Sequence, residues 1–514
     1  MSWDELVKVA LIGTDRSNLS EATKKELSDL GIDTSKEATF TVLEGAALLS
    51  LMQKTGGFPK SWDKPIPEKS PEEKGVQCSK KSRNHLKLIL KGTFSELLPE
   101  FVSHLAKNDK LLPLDYLPEL LDQSLRNKEL WKALKRVIGK RGHWLIGQNQ
   151  EWQTLSFQPD PAIWEIGTRE QRVQLLLYIR EQKSAKAIPL IQSTWAQDDL
   201  QTKARFVQAL EINPSKADEY FLEECLTNSR KEIRTPAAKI LSSIPESRLC
   251  QRIFEQTAAL MEYKPATLPS KEKLIIKLPE ELTDDMLRDG IDPSSRWLKG
   301  GVKASRLGQM ISIIPPLLWE QYFEKNAGEV LQLFVKSEWS ELILQAVTEA
   351  GILHKNIIWA EEILIYWLEK FEKENWQYFK PIGLINVISP QVFNKVALLH
   401  INKKNSLADE ESPLSLLLSN VNLPWQDALS IAFINFMQKS IAGENTHYWN
   451  GWHLRPILKK AAMYTNPELF DLLAKGWSSH SYAWNSWEKE VDSFLSVLKF
   501  RKDLIQELEV KGER

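Results

Sequence analysis

The sequence predicts an all-α fold, a HEAT-like α-solenoid of helical hairpins broken by one short irregular, partly extended insertion. The first observation behind this is a 31-residue echo between Thr168 and Met261. Arg172, Lys203 and Arg234 stand 31 apart, as do Leu175, Phe206 and Ala237, then Leu176, Val207 and Ala238, then Ile179, Leu210 and Leu241. The second is a matching echo in the following helix: Leu190 and Phe221, then Ile191, Leu222 and Ile253, then Trp195 and Leu226. Two apolar helical stripes recurring at a fixed period are the signature of stacked hairpins, each burying its neighbour's apolar face. The third is that helical spacing of apolar residues, with helix start and stop signals, recurs along most of the chain.

The N-terminal region, residues 1–58, opens with a helix. Ser2 and Glu5 have the spacing of an S-x-x-E capping box, and Trp3, Leu6, Val7, Ala10 and Leu11 make one apolar face that Gly13 ends. Helices near Ser20–Leu30 and Thr41–Lys54 follow, stopped by Gly31 and by Gly56-Gly57. Periodicity then disappears over residues 59–84, where Pro59, Pro65, Pro67 and Pro71 mix with Lys, Glu and Ser. Interleaved Asp63, Glu68, Glu72 and Glu73 make this a solvated linker or loop rather than a nucleic-acid arm.

Helical patterning fills residues 85–262, from His85 through Ser95–Lys107, Pro113–Arg126 and Lys128–Gly139. A stretch dense in Gly, basic and aromatic residues, Gly139–Trp152, precedes the repeats. One hairpin pairs Ala187–Ala196 with Gln201–Glu211, and the next pairs Ala217–Thr227 with Glu232–Ser242, with Pro236 expected in a first turn. Arg172, Lys203 and Arg234 supply the basic half of a HEAT-type ladder. Asp198 and Asp199 have Ser229 and Arg230 as equivalents, so the acidic half is not repeated. Residues 263–303 read as the insertion, with Lys273–Leu278 as a short strand and Arg288–Pro293 as a turn. Residues 304–514 read as diverged repeats, with helices over Ala327–Val335, Trp339–Glu349, Trp359–Phe371, Trp425–Lys439 and Pro467–Lys475. The last is framed by Asn466 as N-cap and Gly476 beyond its end.

Composition narrows the function. Lys plus Arg total 67 against 68 Asp plus Glu, a net charge of −1 that lacks the basic excess of a phosphate-backbone binder. The acidic start Met1-Ser-Trp-Asp-Glu is unlike a secretory signal, and the apolar run Leu307–Trp319 is too short and broken to span a bilayer. Three cysteines make a disulfide framework improbable, so a cytoplasmic location is expected. No phosphate-binding loop, G-x-S-x-G, H-E-x-x-H or C-x-x-C occurs, and Gly300–Ser305 has the wrong spacing for the first of these. The eight histidines are scattered, and His447 and His453 are not spaced for one helix face. No metal site, cofactor or catalytic residue is therefore nominated. Cys225 and Cys250 fall on apolar stripes as core fillers.

Two clusters are candidate binding sites. Lys140, Arg141, His143 and Trp144, near Trp152, could hold a phosphate or peptide carboxylate, or could form a helix-ending turn with Gly139 and Gly142 at positive φ. The other contains His447, Trp449, Trp452 and His453, with His480, Tyr482, Trp484 and Trp487. Trp449, Trp452 and Trp484 would form an aromatic platform, or would close the end of the array. Of 19 tryptophans, 12 lie from Trp297 onward, as expected of large wedges between packed helices.

Trp3–Thr14, Arg141–Leu145 with Asn149 and Trp152, Trp164–Arg172, Ser229–Arg234, Arg288–Gly290 and Leu498–Arg501 together resemble an uncharacterised bacterial family of HEAT-like helical-repeat proteins. The resemblance covers nearly the whole chain, and its motifs look structural. Members tend to be encoded near a MoxR-type AAA+ ATPase, a von Willebrand factor A-domain protein and a SWIM zinc-finger protein. That setting implies an adaptor in a chaperone-like assembly, with the ATPase or the von Willebrand A-domain protein as partner. The expectation is thus a non-catalytic interaction scaffold. The alternatives are a helical-toroid enzyme acting on carbohydrate, with tryptophans and two carboxylates in a deep pocket, and a HEAT-like nucleic-acid binder with a basic face.

Overall fold

A computed structural model describes residues 2–55, 67–73, 75–156, 160–266, 272–294, 301–370, 381–403, 407, 409–443 and 451–510. It divides into two compact units, Met1–Ser70 and Pro71–Arg514. Regular structure among the described residues is helical apart from two two-stranded sheets, and no helix there is long and apolar enough to cross a membrane.

The first unit packs the helices Ser2–Ile12, Glu21–Asp29 and Ala38–Lys54 around Leu6, Val9, Leu27 and Val42. Gly13 and Gly31 end the first two with φ of +97° and +88°. Glu5 works differently from the capping box its spacing suggests. Its carboxylate accepts from the backbone N–H and hydroxyl of Ser20, at 2.6 and 2.9 Å, and so closes the start of the next helix instead. Hydrogen bonds from Thr23, then Ser20, hold this carboxyl below its ordinary range.

In the second unit, the 31-residue echo is a stack of core positions. The helices Arg169–Lys183, Leu200–Ala209 and Lys231–Ser242 pack in succession, placing Leu175, Phe206 and Ala237 at equivalent buried sites, then Leu176, Val207 and Ala238. The companion helices Ala187–Thr194, Glu219–Leu226 and Arg248–Ala258 bury Ile191, Leu222 and Ile253 completely. Pro236 lies inside its helix rather than in the first turn, because that helix begins at Lys231. The missing N–H then costs one bond near the helix start.

Only one ladder rung pairs charges. Arg172 binds Asp198 at 2.7 Å while stacking over Trp164 and Phe206. Lys203 sits over Trp195, and Arg234 donates to the Asn228 carbonyl. A different ion pair locks the hairpins. The fully buried Arg180 forks onto both oxygens of Asp218, each at 2.8 Å, and donates to the carbonyls of Leu210, Ile212 and Asn213.

The insertion holds an antiparallel pair, Met261–Lys264 with Lys273–Ile276, in the register Met261 opposite Ile276. The strand expected at Lys273 is present, and its partner lies partly before the expected boundary. Arg252 ties the insertion to the array by gripping Glu223 and the buried Asp289 together. Beyond Gly301 the helices continue around fully buried Trp319, Trp359 and Trp367, and Trp359 donates to Glu320 at 2.9 Å.

The long final helix, Trp484–Glu509, packs on Leu454–Tyr464 and also on Lys80–Leu90 and Leu98–Lys107. Phe500, Leu504 and Leu508 share a core with Leu86, Phe101 and Leu105. Arg501 crosses this seam. It pairs with Glu100 at 2.8 Å and donates to the carbonyls of Ala462 and Thr465. His85 and His104 flank the seam, the former edge-on to Phe500 at 5.0 Å.

Asp218→Ala strands the Arg180 charge in the core and should cost about 3–5 kcal/mol. Lys239→Ala, which breaks the exposed pair with Glu211, should cost under about 1 kcal/mol. Chemical denaturation of both variants compares the two losses. Burial lowers the pKa of His85, against the pull of Asp503 and Glu507 and with a minor push from Lys81. Burial also lowers that of His104, which faces Glu100, Lys107, Glu509 and Arg501. Below the ordinary value of 6.5 the unfolded chain therefore binds more protons than the folded one. Stability should fall as pH drops from 6.5 toward the lowered folded values, and His85→Phe with His104→Leu should flatten that slope in thermal melts.

Candidate functional site

Two helix starts meet at the aromatic cluster expected near the end of the chain. One is that of Leu454–Tyr464, preceded by Trp452 and His453; the other is that of Trp484–Glu509, preceded by Ser481 to Ala483. His453 Nε2 lies 2.9 Å from the Leu407 carbonyl and pins the first start. The Ser481 carbonyl accepts from the Trp484 N–H and rounds the second.

Arg455 organises the site. Its guanidinium lies over Trp452 at 3.9 Å from the ring centre and beside Trp487 at 5.5 Å, a cation held between two indoles. It donates to the Ser486 carbonyl at 2.8 Å and pairs with Glu490 at 3.2 Å. Its charge is thus balanced and its plane fixed. Trp487 is buried, whereas Trp452 is 67% exposed and Tyr482 91% exposed. Among the described residues Trp452 alone of the tryptophans is exposed. Together with Asn485 and Ser486, these residues enclose a cavity of about 340 Å³. No Asp, Glu, His or Cys is among its described lining residues, and the side chains there offer stacking and hydrogen bonding.

The structure thus gathers only part of the expected platform. Trp452 lines the cavity. Trp484 is half-buried and packs against the main core, while its neighbours Asn485, Ser486 and Trp487 face the cavity. Trp449 and His447 lie outside the described residues. Arg455 was missed by sequence reasoning, although its place three residues after Trp452 put it within one helical turn of the indole.

The basic cluster is built otherwise than as a loop. Gly139–Gln148 is a helix, with Gly139 at φ +62° and Gly142 inside the helix against Ile138. Lys140 and His143 are exposed, and Arg141 and Trp144 are half-buried. The Glu73 carboxylate accepts from the Arg141 N–H at 3.2 Å, so the helix start already holds an anionic group. Trp152 is buried and donates to Asp122 at 2.7 Å.

Two other cavities carry different chemistry. One of about 540 Å³ is apolar, set among Trp164, Leu175, Tyr178, Ile179 and Leu190 at the first hairpin. The other, about 340 Å³, gathers Glu410, Glu411 and His453. No group of His, Cys, Asp and Glu suited to a metal ion occurs among the described residues. Burial pushes the thiols of Cys225 and Cys250 up to about 12 and about 11, which keeps both protonated at neutral pH.

The chain belongs to a family of unknown function, DUF5691, whose model matches residues 5–508. Neither a curated protein nor a solved structure matches it.

Glu73→Ala should remove the cap from the Gly139 helix and weaken that helix by about 1 kcal/mol. Hydrogen exchange of the amides in Gly139–Gln148 measures the loss as faster exchange.

Proposed function

We propose that this member of DUF5691 is a non-catalytic adaptor, a HEAT-like helical array that holds a protein partner at the aromatic pocket around Arg455. One observation carries the proposal. Among the described residues tryptophans such as Trp319, Trp359 and Trp367 are buried in the core, yet Trp452 stands in solvent, held in place by a balanced guanidinium. Large rigid aromatic rings exposed over a cavity are typical of protein-binding hot spots. A carbohydrate-cleaving centre would need two carboxylates flanking the bound sugar, and the described lining of this pocket supplies none.

The partner class is the one the family resemblance suggests, an AAA+ ATPase or a von Willebrand A-domain protein in the cytoplasm. Such an adaptor needs no cofactor, because its work is positional.

The test is affinity purification of the tagged chain from its own cells, in parallel with a Trp452→Ala/Tyr482→Ala variant. A reproducible partner should be recovered with the unaltered chain and reduced at least about tenfold with the variant. Recovery of the same proteins by both would place binding elsewhere and overturn the proposal.

A further inference from the structure

We propose that the Arg455 pocket receives a proline-rich segment of its partner, bound as a polyproline II helix. This rests on the adaptor reading and adds the chemistry of what is bound.

Charge narrows the ligand first. The place between two indoles where a cationic ligand would stack is filled by Arg455 itself, 3.9 Å from one ring centre and 5.5 Å from the other. A lysine, arginine or quaternary ammonium would find that stacking place already occupied. An acidic ligand gains little either, because Glu490 already balances the guanidinium at 3.2 Å and Ser486 takes a second of its N–H groups. What suits the pocket is an uncharged ligand that stacks on aromatic faces.

The backbone of the ligand is narrowed next. The described lining comes from two helix starts and the turns before them, and no sheet edge borders it, so there is no ladder for an extended strand to join. Tyr482 and Asn485 make no side-chain hydrogen bond among the described residues, which leaves a phenol and an amide to donate to a ligand. A polyproline II chain carries no internal hydrogen bonds, so its carbonyls are available to such donors. Its compact pyrrolidine rings pack against aromatic side chains, here Trp452 and Tyr482, which line the same cavity. Its ordering cost is already met by the stiffness of proline. An α-helical ligand would need a long apolar groove and has no free carbonyls along its length to offer.

The test uses the full-length chain and a fluorescently labelled peptide rich in consecutive prolines. A control peptide has the prolines replaced by alternating Gly and Ser. Fluorescence anisotropy should show saturable binding of the first peptide and at least tenfold weaker binding of the second. Trp452→Ala and Tyr482→Ala should each weaken binding at least tenfold, about 1.4 kcal/mol. Trp452→Phe, which keeps a ring, should retain most of it, and circular dichroism should show all three variants folded. Equal binding of both peptides, unchanged affinity in the alanine variants, or saturable binding of a soluble oligosaccharide in place of the peptide would each overturn the proposal. A partner whose recovery depends on Trp452, combined with no binding of the proline-rich peptide, would reject this ligand and leave the adaptor standing. Peptide binding without any Trp452-dependent partner would do the reverse.

Discussion

The guanidinium of Arg501 is the constraint on which the packing of the second unit depends. It is buried on the final helix, where an unpaired charge would cost several kcal/mol. Its needs are met only by combining two other segments: the Glu100 carboxylate from Leu98–Lys107, and the Ala462 and Thr465 carbonyls at the end of Leu454–Tyr464. The end of a helix carries partial negative charge and unpaired carbonyls, so a cation there is doubly favoured. Apolar contact between Phe500, Leu504, Phe101 and Leu105 supplies attraction without direction. The fork of Arg501 sets the register in which those side chains meet.

Arg180, Arg252 and Arg455 apply the same chemistry elsewhere. Arg180 joins two hairpins, Arg252 fastens the insertion, and Arg455 fixes the geometry of an indole in solvent. In each case the planar guanidinium presents several donors in a fixed fork, a geometry that the point charge of a lysine does not supply. The scaffold is thus held by apolar stacking with arginine clasps, between the repeats at Arg180 and also at places where the repetition fails. The candidate site is one of those places. Its residues do not recur with the 31-residue period, and Trp452 is left exposed among the described residues.

The repeats were legible because the equivalent residues occupy equivalent buried positions, so burial imposed the period directly on Leu175, Phe206 and Ala237. The helix Gly139–Gln148 was not legible as a helix. Three glycines at 139, 142 and 147 signal a turn locally, and the close packing of Gly142 on Ile138 that rewards one of them is a contact the composition does not show. Glu5 had the spacing of a cap for its own helix, yet tertiary packing presented it with Ser20. At the candidate site the aromatic residues drew notice by their density. Which of them face solvent depended on Arg455 and Glu490, ordinary charged residues with no motif to mark them. Sequence shows what a site can be made of more readily than which way its side chains turn.

The seam also has a consequence for how the chain comes into being. Glu100 and Arg501 are 401 residues apart. At ordinary rates of translation, on the order of 20 to 80 s pass between their synthesis. Throughout that interval Leu86, Phe101 and Leu105 have emerged while Phe500, Leu504 and Leu508, which share their core, do not yet exist. The growing chain therefore carries a bare apolar face while it is still attached to the ribosome. Shielding that face until the last helix arrives is a demand that the folded protein, with its seam closed, no longer displays.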